Sequence, residues 1–284
     1  MRSRSKNMSD LAPLWISEAD VVAMMNIGEA ITALEKGLFA EARGDAVNMV
    51  KTHVAWGEAA TLHAIGAVFP KETFAGTKTW THTGTGATPL LILFDSETGL
   101  LKAVIEAFAL GQLRTASACG VATDHLASKE ADEFAMIGTG KQAITQVAAV
   151  MAVRSVKRVR IFSPNYEHRD QFATRVRKEF EVDALCAHSV SEAVGGASII
   201  TVATRATEPI ITGAMVATGA HINAIGAILP SRAEVASDLL SRCTQIVVDS
   251  VPQAQNLARE LINLFGEADQ EGWKQVRSLS NLVA

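Results

Sequence analysis

The strongest constraint on the fold lies in residues 134–151, FAMIGTGKQAITQVAAVM. A short apolar run ends at Gly138, and a long apolar stretch with helical spacing follows Gly140. The first glycine permits a tight turn, the second lets backbone approach a pyrophosphate, and a small residue at 143 lets the helix pack on the strand. The helix start adds amide donors and a favourable dipole. The pattern predicts a dinucleotide site rather than a purely structural turn, formed by Gly138, Thr139, Gly140, Lys141, Gln142 and Ala143.

From Glu133 onwards, strand-like and helix-like segments alternate. The strand candidates are EFAMIG, RVRIFS, VDALCA, SIITVAT, HINAIGA and QIVVDS, and the helical segments are KQAITQVAAVMAVRS, EHRDQFATRVRKEF, SVSEAVGG and QAQNLARELINLF. Such alternation is typical of βαβ units and of a parallel, doubly wound sheet. The fold class is therefore predicted to be α/β, with a Rossmann-like domain over residues 128–284.

Residues 1–127 follow a different pattern and are predicted to form an α+β domain around an antiparallel or mixed sheet. A helix is expected to begin after Asn26, which resembles an N-cap, and to stop near Gly44. Short β-type runs then fill residues 47–107, with turn residues at 95–99, before a helix at 109–126. The glycine-rich stretch 84–89 is interpreted as a flexible hairpin loop or a substrate lid rather than a phosphate cradle.

The composition excludes several classes of partner. The 284 residues are 48% hydrophobic and 20% charged with a net charge of −4, which gives no electrostatic footprint for nucleic acid. No apolar run reaches the roughly 18 residues that a membrane span requires, so no membrane partner is expected. The basic N-terminus MRSRSKNMSDLAPLW is followed by no apolar segment, and we interpret it as a disordered leader rather than a secretory signal.

Cysteine and histidine usage points to a reducing compartment and to no metal site. Cys119, Cys186 and Cys243 are odd in number and far apart, so they are interpreted as small core residues of a cytoplasmic protein. The seven histidines form no HxxxH or HxH pair. No metal cofactor is predicted.

The end of the second strand in the Rossmann-like domain bears on the choice of nucleotide. NAD sites usually place Asp or Glu there, where a carboxylate accepts from both ribose hydroxyls. Here the segment RIFSPN supplies Ser163 and Asn165, with Arg169 in the next helix, and Glu167 comes too late. Because neutral side chains and a guanidinium tolerate a 2′-phosphate, NADP(H) is expected in preference to NAD(H).

Six segments, in order along nearly the whole chain, resemble the ornithine cyclodeaminase/μ-crystallin family: GTKTW, LFDSETGLLKAVIEA, LGQLRTASACGVATDHLA, IGTGKQA, TVATRATEPI and HINAIGA. The resemblance implies a first domain with substrate-binding residues and the dimer interface, and a second domain that binds NAD(P)(H). It also implies a small α-imino or α-amino acid substrate, acted on by redox-neutral cyclodeamination, amino-acid dehydrogenation or imine reduction. A homodimer is expected on the same ground.

Lys78 and Arg114 are the expected catalytic residues. Arg114 lies in a helix of apolar and small residues, where an unpaired buried charge would be costly, so it should face a ligand or a carboxylate. An Arg at a domain surface, or one paired with Glu106, is the open alternative. The resemblance implies that Arg114 clamps the substrate α-carboxylate and that Lys78 adds charge and a proton. Lys51 stands where family members often carry an Arg on the same carboxylate; a surface lysine on an edge strand is equally open.

Other candidate contacts follow from the ends of the predicted strands. Open parallel sheets present their ligands at the carboxyl ends of the strands, and the resemblance adds a position beside Arg114. Cofactor contacts are therefore expected at Thr115, Ala203, Thr204, Ala224 and Gly226. His82 is interpreted as a packed strand-end histidine rather than a proton donor.

One departure from the family pattern decides the expected reaction. Cyclodeaminases of this family carry Asp two residues after the glycine of the NAIGA-type strand, and this chain has Ile228, which cannot ionise. We expect net hydride transfer between NAD(P)H and an α-imino acid, or the reverse, with Ser231 either taking part of the polar role or serving as a turn residue. The alternatives are an ornithine or lysine cyclodeaminase with bound NAD, and a non-catalytic NADP-binding protein. Family members run on for some tens of residues after a stretch like WKQVRSLSNLVA, whereas this sequence stops at Ala284. Two interpretations stay open: the tail is dispensable here, or the chain is truncated.

Overall fold

The computed structural model describes residues 12–57, 60–268 and 271–284. The chain divides into two compact units, one formed by residues up to Asn26 and by Phe39–Gln112, the other by Ile27–Leu38 and Leu113–Ala284. The sequence-based boundary at residue 127 stays a prediction. The compact units differ from it, since residues 27–38 and 113–127 group with the second unit.

The elements up to residue 126 agree with the predicted helices and β-runs and add a short strand and a short helix before them. They are β1 (Leu14–Ile16), α1 (Glu18–Met24), α2 (Ile27–Ala42), β2 (Val47–Trp56), β3 (Ala60–Phe69), β4 (Phe74–Thr83), β5 (Gly86–Ala87), β6 (Leu90–Asp95), β7 (Leu101–Glu106) and α3 (Phe108–Leu126). The helix α2 ends before Gly44, which has a φ of +75°. This is the place where the sequence predicted the helix to stop.

The first unit is built on a seven-stranded mixed sheet in the order β1-β7-β6-β4-β3-β2, with β5 paired to β4. β1 runs parallel to β7, and the other pairs are antiparallel. The turn between β6 and β7 forms as predicted, because the Asp95 carboxylate accepts the backbone N–H groups of Glu97 (3.0 Å) and Thr98 (2.9 Å). Gly99 closes it with a φ of +72°. The β4–β5 pair makes residues 84–89 part of a hairpin, as expected.

The exposed edge of this sheet is apolar. β2 is the end strand of the sheet, and all ten of its residues are exposed except Lys51, which is half-buried. Val50 and Val54 are 76% and 64% exposed, and Leu62, which pairs with Val54 from β3, is 45% exposed. An apolar edge strand of this length is an unusual feature in a folded chain, because it is open to pairing with another strand.

The remaining elements form the second unit as an alternation of strands and helices. They are β8 (Glu133–Ile137), α4 (Ala143–Val153), β9 (Arg158–Phe162), α5 (Tyr166–Phe180), β10 (Asp183–Cys186), α6 (Val190–Val194), β11 (Ile199–Val202), β12 (His221–Ala224), α7 (Ser237–Leu240), β13 (Ile246–Val248), α8 (Val251–Leu257), α9 (Arg259–Phe265), β14 (Val276–Ser278) and α10 (Leu279–Val283). The sheet is parallel in the order β10-β9-β8-β11-β12. The predicted α/β, doubly wound class is confirmed.

Both faces of the parallel sheet are covered. In β8, Phe134, Met136 and Ile137 are at most 1% exposed, and Ile199 and Ile200 in β11 are fully buried. Consecutive residues of a strand point to opposite faces, so runs without polar alternation mean that apolar layers lie on each side. Two separate core clusters occupy these layers, one containing Phe134 and the other Ile137.

Several sequence-based expectations need correction. The QIVVDS strand is β13, but it pairs with β14 in a separate two-stranded sheet instead of joining the main one, because a strand pattern does not reveal its partner. The predicted helix at 253–265 is broken at Ala258 (φ −83°, ψ 84°), and after the break Glu260 makes tertiary hydrogen bonds that spacing cannot show. Cys119 is buried as expected, whereas Cys243 is exposed and is not a core residue.

The leader interpretation also needs correction where it can be checked. Leu14 and Trp15, its last two residues, form part of β1, because parallel pairing with β7 holds them; residues 1–11 lie outside the described part of the chain. Among the described residues, no helix combines the length and apolar character that crossing a membrane would require.

Candidate functional site

The glycine turn after β8 has the geometry that the sequence predicted. Gly138 has a φ of +102°, and a Cβ there would overlap the carbonyl oxygen of Ala203, so only glycine fits. Its N–H donates to the Phe162 carbonyl at 2.8 Å. A Cβ on Gly140 would meet nothing within 4 Å, which leaves this stretch of backbone open to a close ligand. Gln142 is the N-cap residue of α4, and its side chain makes no capping hydrogen bond. The amide groups at the start of α4 are therefore suited to bind a pyrophosphate.

The ends of β11 and β12 are joined by a buried carboxylate that the sequence did not single out. Glu234 is 0% exposed. Its Oε1 accepts from the Thr204 N–H (2.6 Å) and hydroxyl (2.7 Å), and its Oε2 accepts from the Gly226 N–H (2.6 Å). Burial raises the pKa of this carboxyl, and the three hydrogen bonds oppose that rise. Glycine is required at 226, because a Cβ would overlap the Thr204 carbonyl and the Glu234 carboxylate.

The structure thus brings four predicted cofactor residues to one edge of the parallel sheet: Gly138, Ala203, Thr204 and Gly226. Ala224 is exposed at the end of β12, and Ser231 is exposed in the turn that follows. Ile228 is 58% exposed. Glu234 could have been suspected from the sequence, because an ionisable residue among AEVA neighbours must find partners if it is buried.

At the end of β9 the predicted ribose contacts have structural partners of their own. Asn165 caps α5, its side-chain oxygen accepting from the His168 N–H at 3.0 Å, and Ser163 is buried. Arg169 is buried, donates to the Ala187 carbonyl at 2.5 Å, and lies over the rings of Phe162 and Tyr166. A role for Arg169 on a 2′-phosphate stays a prediction, and this placement gives it no support.

Arg114 lies in α3, and both the predicted ligand contact and the alternative of an arginine at a domain surface stay open. Its side chain is 53% exposed, and Nη2 lies 3.9 Å from the Asp249 carboxylate at the end of β13. The predicted alternative partner, Glu106, instead accepts from the Glu18 N–H at 2.8 Å. One turn further along, burial and secondarily Asp249 raise the pKa of the Cys119 thiol to about 12, so this cysteine is an inert packing residue. Thr115 is half-buried.

In the first unit, Lys78 belongs to a ladder of side chains across β2, β3 and β4. His53, His63 and Trp80 stand directly opposite one another, with ring centres 5.6 Å apart between the histidines and 4.8 Å apart between His63 and Trp80. The Lys78 Nζ lies 4.6 Å from the Trp80 ring centre, within the range of a cation–π interaction. The Lys78 Nζ is also close to α3, because a Cβ added to Gly111 would stand 3.0 Å from it.

The same ladder carries Lys51. Burial, followed by the charges of Lys51, His53 and His82, lowers the pKa of His63. His82 is exposed, so its interpretation as a packed residue was wrong. Sequence reasoning missed His63 and Trp80 because no local motif joins them; the signal was the alternation of three neighbouring strands, which becomes informative only once the hairpin registers are known.

Three comparisons with known proteins bear on this arrangement. The chain is 34% identical over 161 residues to a Delta(1)-pyrroline-2-carboxylate reductase of Bacillus cereus, a match that covers 57% of this chain and 49% of the reductase. It is 38% identical over 160 residues to the ketimine reductase mu-crystallin of Mus musculus, covering 56% and 50% of the two chains. The matched part spans about half the length of these curated relatives.

A solved structure and a family profile extend the likeness to nearly the whole chain. The Delta(1)-pyrroline-2-carboxylate reductase of Thermococcus litoralis, in complex with NADH and L-proline, matches with a TM-score of 0.88 at 25% identity, over 95% of this chain and 86% of that one. The profile of the ornithine cyclodeaminase/mu-crystallin family matches residues 13–269. The resemblance seen in the sequence motifs is confirmed: the chain belongs to the ornithine cyclodeaminase/mu-crystallin family.

Proposed function

We propose that this protein is an NAD(P)H-dependent oxidoreductase that reduces α-imino acids, or oxidises α-amino acids in the reverse direction. The glycine turn, with its positive φ at Gly138 and open backbone at Gly140, supports dinucleotide binding. Ile228 carries the choice of reaction, because an exposed isoleucine supplies no ionisable group where cyclodeaminases of the family have Asp. The relatives named as imine reductases support the same choice.

In this proposal, residues of the second unit hold the nucleotide. When bound, the nucleotide supplies the hydride for the imine carbon. The residues proposed to bind it are Thr115, Gly138, Thr139, Gly140, Lys141, Gln142, Ala143, Ser163, Asn165, Arg169, Ala203, Thr204, Ala224 and Gly226. The end of β9 has no acid to accept from a ribose, which supports NADP(H) over NAD(H). Equal dissociation constants for NADPH and NADH would contradict that preference.

The proposed substrate residues are Lys51, Lys78, Arg114 and Ser231. The guanidinium of Arg114, half-exposed and close to one carboxylate already, is suited to a bidentate clamp on the substrate α-carboxylate. The Lys78 ammonium lies near the Trp80 ring and near Gly111 of α3, and these contacts support a defined position for it as the proton donor to the imine nitrogen.

The protein is further proposed to be a cytoplasmic homodimer with functional domains at 1–127 and 128–284. The apolar edge strand β2, with Val50 and Val54 largely exposed, supports pairing with a second copy. Three cysteines without a disulfide support a reducing compartment.

The deciding experiment follows NADPH absorbance with five- and six-membered cyclic ketimines and with α-keto acids mixed with ammonia or methylamine. Oxidation with any of them supports the proposal, and Arg114→Ala should then raise the substrate KM much more than the NADPH Kd. Ammonia release from ornithine without net change in the nucleotide would instead identify a cyclodeaminase. Tight NADPH binding without any turnover would identify a binding protein.

A further inference from the structure

Glu234 is a buried carboxylate that none of the proposed catalytic steps uses. Removing a charge from water is costly unless hydrogen bonds replace the lost hydration. Here each oxygen accepts from a backbone N–H group, whose direction the main chain fixes. The Thr204 hydroxyl donates a third hydrogen bond. Each oxygen accepts from a different strand end, Oε1 from Thr204 and Oε2 from Gly226. One carboxylate therefore joins the backbone after β11 to the backbone after β12.

The topology indicates which part of a dinucleotide these two strand ends face. Along the chain the sheet grows from β8 through β9 to β10, and then from β8 in the opposite direction through β11 to β12. The switch point lies between β8 and β11, and ligands of such sheets bind in the crevice there. The second strand, β9, is on the side where the adenosine ribose binds. The ends of β11 and β12 are on the other side of the crevice, where the nicotinamide half would lie.

The contacts around Glu234 fix both its own place and the spacing of the two strand ends. The Glu260 carboxylate accepts the N–H groups of Glu234 and Val235, the latter at 2.8 Å. Gly226 lies so close to the Thr204 carbonyl and the Glu234 carboxylate that no Cβ fits between them. The distance between the two strand ends is thus set by this carboxylate, which α9 holds through Glu260.

We propose that Glu234 is a positioning residue for the nicotinamide half of the cofactor site, acting through the backbone at Thr204 and Gly226. The inference rests on the proposed function, because it takes the crevice to be a dinucleotide site. It assigns Glu234 no contact with the substrate or with the reacting atoms.

The test compares two nucleotides on the variant Glu234→Gln. The amide keeps the size of the side chain but presents an NH₂ group to one of the backbone donors, so one of the two strand-end links is lost. We expect the Kd of NADPH, measured by calorimetry, to rise about tenfold, in line with the loss of a hydrogen bond to a charged group. The Kd of 2′-phospho-ADP-ribose, which lacks nicotinamide, should stay within about twofold of the wild type, because the adenosine side is untouched.

Asp95→Asn is the matched control. Asp95 is also a buried carboxylate that accepts two backbone N–H groups, but it lies in the first unit, and its variant should leave both dissociation constants unchanged. If Glu234→Gln does not fold, Thr204→Val removes the hydroxyl bond to Oε1, together with the bond that this hydroxyl accepts from the Ala206 N–H at 3.2 Å. Both backbone links to Glu234 remain, so the variant should give a smaller loss, selective for NADPH in the same way.

Equal loss for both nucleotides, or no loss for either, would overturn the role of Glu234. The titration requires no turnover, so it separates this inference from the proposed function. Wild-type protein that binds both nucleotides but reduces no imine would contradict the function, while a selective loss in the variant would still support Glu234 as a positioning residue.

Discussion

The two main sheets of this protein differ in how far their apolar side chains are exposed to solvent. In the parallel sheet of the second unit, β8 and β11 present continuous buried runs, because crossover helices cover both faces. In the seven-stranded sheet of the first unit, the edge strand β2 exposes Val50 and Val54 while its Lys51 is half-buried. The parallel sheet thus buries apolar side chains for stability, whereas the mixed sheet keeps apolar and cationic side chains accessible. We expect substitutions in the first to change folding and those in the second to change binding.

The largest expected effect is on the free energy of unfolding, and two phenylalanines, one from a strand of each sheet, test the contrast in exposure. Phe134 in β8 is 0% exposed and Phe74 in β4 is 42% exposed. Phe134→Ala should lower the free energy of unfolding by about 3–5 kcal/mol, because it leaves a cavity in a close-packed core. Phe74→Ala should cost less, about 1–2 kcal/mol, since a large part of the residue is already exposed to water. Urea unfolding of both variants measures the difference, and equal losses would break the comparison.

A second test uses pH. Burial lowers the pKa of His221, at the start of β12, to about 4, against an ordinary value of 6.5. The unfolded chain therefore binds a proton between these values that the folded chain does not. As a result, protonation of this histidine in the unfolded chain should lower the free energy of unfolding by about 3 kcal/mol as the pH drops from 6.5 to 4.

Other groups also titrate in that range, so the measurement needs a variant without this histidine. In His221→Gln the stability loss over the same pH range should be smaller by about that amount. His63 in the first unit also has a lowered pKa, mainly through burial, but it is only half-buried. His63→Gln should therefore change the pH dependence of unfolding less than His221→Gln does, and the opposite order would contradict the contrast between the units.

The apolar edge strand gives a third test, directed at assembly. Val54→Lys places a charge on β2 opposite Leu62. If two copies meet there, the variant should weaken self-association roughly a hundredfold or more, since each interface would bury two unpaired charges. Val22→Lys, on α1 with a nearly identical exposure (62% against 64%), is the control and should leave association unchanged. Sedimentation velocity across a dilution series distinguishes the two, and equal behaviour would exclude β2 as the interface.

The smallest expected effect on stability comes from a substitution at Gly111, which should change stability and activity in opposite directions. Gly111→Ala should raise the free energy of unfolding by about 0.5–1 kcal/mol, because alanine favours a helix interior. The new methyl group would stand 3.0 Å from the Lys78 ammonium and displace it. We expect kcat for imine reduction to fall about tenfold, less than the roughly hundredfold or more that complete loss of a general acid costs, because the ammonium is displaced and not removed. Unchanged activity in a stabilised variant would argue against Lys78 as the proton donor.

The sequence predicted best where one local pattern carries the whole signal. The Gly138 turn and the run of buried strands belong to single stretches whose spacing states their geometry, and both formed as predicted. Sequence-based prediction failed where the strand or hydrogen-bond partners of a residue lie in distant segments of the chain. Nothing near QIVVDS shows that it pairs with β14, and nothing near Glu234 shows that its donors lie at 204 and 226. His63 and Trp80 share a face only because the hairpin register places them opposite each other.

The packing of Gly138 and Gly226 against the 203–204 backbone has a consequence for how this site can change. Main chain meets main chain on both sides of that segment, so a side chain at Gly138 or Gly226 has no room. Under the proposed function, this end of the crevice faces the nicotinamide and cannot be changed by single substitutions at these glycines. At the end of β9, in contrast, Pro164 and Asn165 are exposed. Under the proposed function, cofactor preference could therefore be redesigned at the end of β9, whereas the backbone contacts at Gly138 and Gly226 leave no room for new side chains.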